Sequence, residues 1–377
     1  MELLMTRRTL IAGIVLIGIC AGCTVRGKLP RTADFHGFWN PADSAKPNTA
    51  DAASFDGHLR LLYEFKTKGA VDGPLLTSGR YLAFRSTRDR ILVVDLQDGH
   101  LIMQLRRRWG ILTEPVIMDS ILILVQSQPL GRIQVINLHN GAVLREKDLN
   151  EIRSGPIIRE KSLIFGTGTG LISLSYPDLG VKWRYQSKGM VDIAPVIDSS
   201  AIYYNDCTGS VGKVAMADGT PLWEYNCKSS AVSELTLGSR LYCGLADGKL
   251  VAIDKNSGQE VWHYQAEFPI RGGTAEQDGK IYFGGGDGAV VCLDAATGEK
   301  QWSGKTEGVI SARPLVYGQA VLVGSQDRTL YSFDKETGRQ IGSQRLEGAV
   351  SQGAVVIGGK IFVSCRRSRM YCFEGIK

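Results

Sequence analysis

Asp294-Ala295-Ala296-Thr297-Gly298-Glu299-Lys300-Gln301-Trp302 is the stretch on which the fold turns. One repeat earlier it reads Asp254-Lys255-Asn256-Ser257-Gly258-Gln259-Glu260-Val261-Trp262. One repeat later it is Asp334-Lys335-Glu336-Thr337-Gly338, and the Trp is lost. Apolar alternation leads into each copy, as in Ala289-Val290-Val291-Cys292-Leu293, so each reads as strand, turn, strand. The Gly supplies the positive φ that a tight turn needs. The Asp side chain bonds nearby backbone N–H groups in such a turn. The Trp, four residues past the Gly, is expected to return across the strand pair and pack on the neighbouring unit. The motif builds a scaffold and carries no chemistry of its own.

Working outward, the turn glycines fall at Gly99, Gly141, Gly180, Gly219, Gly258, Gly298 and Gly338, in steps of 42, 39, 39, 39, 40 and 40 residues. A period near 40 with several short strands per unit indicates a β-propeller. In the unit 272–305 the expected strands are A at Gly273–Glu276, B at Lys280–Gly284, C at Ala289–Asp294 and D at Lys300–Lys305. Outer D strands are expected to begin near His58, Leu101, Val143, Val181, Pro221, Glu260, Lys300 and Gln340. The first has no A, B and C strands before it, and the last A–B–C set, 349–373, has no D strand after it. The fragments complete each other: His58–Phe65 should close the ring beside Met370–Phe373, removing the edges of a linear array. The expectation is therefore an all-β, eight-bladed propeller of four-stranded antiparallel blades over residues 57–377, closed by its N-terminal strand.

Composition agrees. The chain of 377 residues is 44% hydrophobic and 22% charged, and its 45 Gly against 12 Pro suit short strands and tight turns. A formal net charge of +6 is mild for this length and does not argue for nucleic acid. Residues 1–22 read as a signal: Arg7 and Arg8, then an apolar run from Leu10 to Ile19, too short to span a membrane. The run ends in Cys20-Ala21-Gly22-Cys23, which resembles the bacterial lipoprotein signal, with Cys20 where Leu is usual. That resemblance implies cleavage before Cys23 and its lipidation; a plain secretory signal or an uncleaved anchor is the alternative. Thr24 in place of Asp favours outer-membrane sorting on the same resemblance. Residues 23–56 lack sustained periodicity and read as a tether, interrupted by Phe35, Phe38 and Trp39. The membrane is thus reached through the lipid anchor only.

The recurring Leu-Asp-x-x-Thr-Gly-x-x-x-Trp resembles the quinoprotein (PQQ-type) propeller repeat over about residues 57–377. Together with the lipoprotein signal it resembles the BamB family, lipoproteins of the outer-membrane β-barrel assembly machinery. The resemblance implies a non-enzymatic scaffold on the periplasmic face of the outer membrane, whose propeller loops bind the barrel protein BamA. Where that family has an Arg-containing segment entering the fourth full blade, Tyr185-Gln186-Ser187-Lys188-Gly189-Met190 offers Lys188. Where it has paired acids in the next inter-blade loop, Ala231-Val232-Ser233-Glu234 retains Glu234. Two other readings stay open: a quinone-dependent dehydrogenase or its subunit, and a propeller binding envelope polysaccharide.

A quinoprotein dehydrogenase needs a base, a calcium held by oxygen ligands, and cationic groups for the quinone carboxylates. By resemblance, many also carry two adjacent cysteines, which this chain lacks. Asp95, Asp254, Asp294 and Asp334 recur once per repeat and read as turn residues. The same holds for Asp247 and Asp287 in B–C turns. His36, His58, His100, His139 and His263 make no metal spacing. No catalytic residue, metal or cofactor is expected. The B–C turns and D–A connections should share one face. Onto it fall Arg85, Arg88, Arg90, Arg106, Arg107, Arg108, Trp109, Arg132, Lys188, Arg271, Arg328, Arg366, Arg367 and Arg369. Arg with aromatics is interface-prone composition, with a solvated rim as the alternative. Cys207 in a B–C turn and Cys227 at the end of the same blade's strand D are candidates for a disulfide, against two separate thiols. Cys23→Ser is expected to release the protein from membranes or leave it with an unprocessed signal, read by fractionation and intact mass.

Overall fold

A computed structural model of the chain describes residues 35–36, 55, 57–67 and 69–375, apart from 72–74, 78–79, 88–89, 97–100, 107–114, 119, 127–130 and 160. The expected signal, Cys23, Phe38, Trp39 and the Gly99 turn lie outside the described residues. Strands order into eight antiparallel sheets. Seven are consecutive four-stranded blades. Their outer D strands are Leu101–Arg106, Val143–Asp148, Val181–Gln186, Pro221–Asn226, Glu260–Gln265, Lys300–Lys305 and Gln340–Arg345. In blade 6 strands B, C and D match the expected Lys280–Gly284, Ala289–Asp294 and Lys300–Lys305, and strand A is Thr274–Gln277. The eighth blade takes A, B and C from Val355–Ile357, Lys360–Cys365 and Arg369–Gly375, and D from Leu59–Lys66. Phe65 pairs with Met370 and Leu59 with Gly375, so the N-terminal strand closes the ring as expected. Phe35–His36, within the expected tether, adds a fifth strand outside it, with Phe35 opposite Phe65 and His36 opposite Glu64.

The apolar core lies between blades. Tyr242, Leu250 and Ala252 of blade 5 pack on Ile281, Phe283, Val291 and Leu293 of blade 6. Tyr282, Val290 and Cys292 of blade 6 pack on Val321, Val323, Tyr331 and Phe333 of blade 7. The same arrangement spans the closure, where Tyr63, Phe362 and Met370 of blade 8 meet Leu82, Phe84 and Leu92 of blade 1. Each blade is thus half of two cores, and leaving one out would expose two apolar faces.

The repeat motif links these blades. Asp294 Oδ1 accepts from the backbone N–H groups of Ala296 and Thr297, both at 2.8 Å, and these bonds hold its carboxyl below the usual range. Gly298 N–H closes the turn on Asp294 O at 2.9 Å, with φ at +77°. The Gly has a second cause. A Cβ there would lie 2.6 Å from the indole of Trp262, which belongs to the preceding blade. Trp262 also donates Nε1–H to Ala295 O at 3.1 Å. Trp183, Trp223 and Trp302 make the same bond to Met216 O, Lys255 O and Lys335 O in the next blade. Each Trp therefore caps the C–D turn of its neighbour.

Two departures from the repeat follow from this interlock. Blade 7 has Gly342 where Trp would fall, and its neighbour is the composite closing blade, which has no continuous C–D turn. Gly57 O approaches instead, 2.5 Å from where a Gly342 Cβ would sit. Blade 2 has Arg145 at the Trp position, so no indole covers the next turn. There the positive φ falls on Leu179 (61°) rather than on the expected Gly180, a shift of one residue. Leu179 buries its side chain against Val135 and Leu174, and Lys147 Nζ donates to its carbonyl at 2.7 Å. Trp302→Ala removes a buried ring and a capping bond and is expected to cost roughly 3–5 kcal/mol in denaturant unfolding.

Candidate functional site

The B–C turns and D–A connections do share a face, and hydrogen bonds stitch them together. Cys207 N–H donates to Met190 O at 2.9 Å, Ala246 to Ser230 O at 2.9 Å, Gln326 to Val309 O at 2.9 Å, and Arg366 to Ala349 O at 3.0 Å. In each case a B–C turn is bonded to the D–A connection entering its own blade. Loops tied in this way hold a surface in place rather than leaving it mobile.

The segment entering blade 4 is the most firmly held. Asp206 is buried, and its Oδ2 accepts from Gly189 N–H at 3.0 Å. Its Oδ1 accepts from Thr208 and Ser210 N–H at 2.9 and 3.1 Å. Lys188 stands exposed above this anchor and pairs with Glu224 at 2.6 Å, which raises the ammonium's pKa. Beside it Met190 is exposed, as are Phe268 and Val309 in two later D–A connections. These three apolar side chains, and Asp206 as an organiser, escaped the sequence reading. Asp206 was legible, because it stands in a B–C turn as Asp247 and Asp287 do.

On the inner ring, Arg313 of blade 7 reaches past blade 6 to blade 5. Its Nη2 lies 3.4 Å from Glu234 Oε2 and 3.5 Å from Leu235 O. The side chain passes Gly273, where a Cβ would meet Nε at 3.3 Å. Arg313 aligns with Ala194, Glu234, Gly273 and Gly353 of other blades. A charge at that repeat position was therefore visible in register. Glu234, the single acid kept in its loop, is occupied by this contact.

The described members of the basic set are spread over several blades. Arg107, Arg108 and Trp109 lie outside the described residues, and so does the Arg106 side chain. Arg132 is bidentate to Asp148 at 2.6 and 3.1 Å. Arg271, Arg328, Arg366 and Arg367 are exposed on blades 6, 7 and 8. Arg369 is the first residue of a C strand rather than a turn residue, and it pairs with Glu64 and with Glu347 at 2.7 Å. Glu64 lies on the N-terminal strand, so Arg369 pins the ring closure. The face also carries Asp247, Glu267, Asp287, Glu307, Asp327 and Glu347, so blades 5 to 7 present both signs of charge.

The candidate disulfide is corrected. Cys207 and Cys227 are both free thiols. Cys207 is exposed and its Sγ lies beside Gly189, towards blade 3. Cys227 is buried against Leu241, Cys243 and Leu245 of blade 5. The two side chains leave opposite sides of one sheet, as alternation along strands permits.

Fold and face together define a PQQ-type repeat propeller with a rigid loop surface. A family model described as outer membrane protein assembly factor BamB matches residues 129–272 and 246–373. The chain belongs to that family. The outer membrane protein assembly factor BamB of Shewanella oneidensis is 28% identical over 121 residues, 30% of each chain. A quinohemoprotein alcohol dehydrogenase of Comamonas testosteroni is 27% identical over 100 residues, 23% of this chain and 14% of the dehydrogenase. Both matches therefore span less than a third of the relative's own length. BamB from Moraxella catarrhalis superposes with a TM-score of 0.70 at 16% identity, covering 84% of this chain and all of that one. The Comamonas dehydrogenase superposes at 0.71 and 11% identity, covering 88% and 78%. At these identities the superpositions speak for the fold alone.

The repeat's name raises a quinone with its calcium. That group needs several converging oxygen ligands and free cations. Among the described residues no group of three or more His, Cys, Asp and Glu side chains could hold a metal ion. The inner-ring cation Arg313 is committed to Glu234. Among the described residues that leaves no carboxylate cluster for the calcium and Arg313 paired with Glu234, its buried Nε without a partner. Arg369→Ala is expected to lower stability by about 1 kcal/mol, while Arg366→Ala and Arg367→Ala stay within about 0.5 kcal/mol, all read by denaturant unfolding.

Proposed function

We propose that this chain is a non-enzymatic binding scaffold of the cell envelope, serving outer-membrane β-barrel assembly. In this reading residues 1–22 are the signal and Cys23 carries the lipid. Residues 23–56 tether the propeller, 57–377, to the periplasmic face of the outer membrane. Family membership across residues 129–373 is the observation that carries it. The pairing of the inner-ring Arg313 with Glu234 agrees with it. A quinone-dependent dehydrogenase is the reading favoured by the Comamonas relative and its superposition.

The partner face in this proposal is the stitched loop surface, and the partner is the periplasmic part of a BamA-like barrel protein. Lys188, Met190, Phe268, Arg271, Val309 and Arg328 combine exposed apolar and cationic contact on a rigid base. Such a mixture suits a protein surface, where apolar groups supply affinity and rim charges supply steering and register. Arg132, Arg366 and Arg367 extend the basic rim, and Arg106, Arg107, Arg108 and Trp109 are proposed to join it.

The combined variant Lys188→Glu, Met190→Asp tests this. It should fold normally and lose capture of the purified periplasmic domains severalfold. Wild-type capture should weaken with salt, because exposed charges are screened. Undiminished capture by the variant would remove the blade 4 loop from the interface. Dye-linked alcohol or sugar oxidation by the wild type, dependent on added quinone and calcium, would overturn the scaffold reading.

A further inference from the structure

Cys227 and Cys243 are buried in one cluster between blades 4 and 5. They are 3% and 0% exposed. Cys227 directly follows the outer strand Pro221–Asn226, and Cys243 stands in the inner-lying strand Leu241–Gly244. The two thiols lie in the same interface cluster and interact there, beside the Asn205 side chain. Asn205 also donates Nδ2–H to Ser233 O at 3.2 Å. Its buried Oδ1 has no partner among the described residues. The rest of the cluster is apolar, including Tyr203, Val211, Leu235, Leu245 and Val251.

A repeat-wide packing need does not account for this pair. The counterpart of Cys227 is Thr306 in blade 6 and Leu346 in blade 7, and the counterparts of Cys243 are Phe283 and Val323. Among the described residues, cysteines from two adjacent blades share a core cluster only at this junction. Two thiols packed into one interface cluster are already brought near each other for a covalent link.

We propose that Cys227 and Cys243 form a disulfide that staples blade 4 to blade 5. The proposal rests on the envelope location given above, since an oxidising compartment sustains such bonds. The oxidant is a thiol–disulfide oxidoreductase or a small disulfide such as oxidised glutathione. The Cys227 thiolate attacks one sulfur of that disulfide, forms a mixed disulfide and expels one thiolate. The Cys243 thiolate then attacks the Cys227 sulfur and expels the second. Two protein thiols become one disulfide, and their two protons pass to the two thiolates expelled from the oxidant, which leaves as two thiols.

The Cys227 interaction and burial push the Cys243 thiol well above its usual pKa, so in the closed propeller it reacts slowly. The exchange therefore belongs to folding, before blade 5 packs on blade 4. After closure the same burial shields the bond from reductants. Within the chain the bond closes residues 227–243, and it fixes the junction beneath the loop carrying Glu234.

The test uses the full-length protein. It is unfolded with reductant, refolded in a glutathione redox buffer, alkylated in denaturant and mapped without reduction. The expected result is a linked 227–243 peptide with Cys207, Cys292, Cys365 and Cys372 alkylated. The linked protein should lose several degrees of thermal midpoint when reduced before melting. Cys227→Ser should abolish that redox-dependent shift, and Cys207→Ser should keep it. Free, alkylatable thiols at both positions after oxidative refolding would overturn the proposal, as would a 207–227 link. Mapping protein trapped in intact cells separates the two readings. A bond that forms on refolding but is missing from cells supports the site and sinks the oxidising location.

Discussion

The interaction on which the ring depends is the indole of one blade lying over the glycine turn of the next. It is at once a packing contact and a hydrogen bond from Nε1–H to a turn carbonyl. The turn must be tight to present that carbonyl, and its central residue must lack a side chain to admit the ring. One motif therefore sets the backbone of its own blade and the docking of its neighbour. Where Arg145 stands in place of the indole, Leu179 occupies the left-handed position of the next turn while filling the core. Where the neighbouring turn is missing, Gly342 yields its space to Gly57.

Closure makes this pairwise device cooperative. The blade 8 sheet joins residues from both ends of the repeat array, with Arg369 held between Glu64 and Glu347. An apolar cluster then spans from blade 8 to blade 1. With every interface filled, the loops of one face stand on a rigid ring. Bonds such as Cys207 N–H to Met190 O carry that rigidity outward to the surface. A scaffold benefits from such a surface because little conformational freedom is lost when a partner binds.

Charge on that face is more mixed than a count of arginines suggests. Ion pairs take up Arg132, Lys188 and Arg369 within the molecule, and Arg313 with Glu234 bridges three blades along the inner ring. These pairs order the loops as much as they advertise charge. The exposed apolar residues Met190, Phe268 and Val309, at corresponding connections, add the affinity that surface charge alone supplies poorly.

The sequence by itself determined the propeller, the number of blades, the D strand positions and the closing strand. These follow from local rules repeated in register: alternation, turn Asp and Gly, and a period near 40 residues. It also showed the family through the recurring turn motif. Tertiary structure decided what depends on distance between chain segments. Only there does Cys227 turn away from Cys207 towards Cys243, Arg369 leave the loop for an ion-pair network, and Arg313 find Glu234. Side-chain direction and partner choice across blades are set by packing between units far apart in sequence. A repeat pattern records each unit's own geometry but not which neighbour a given side chain meets.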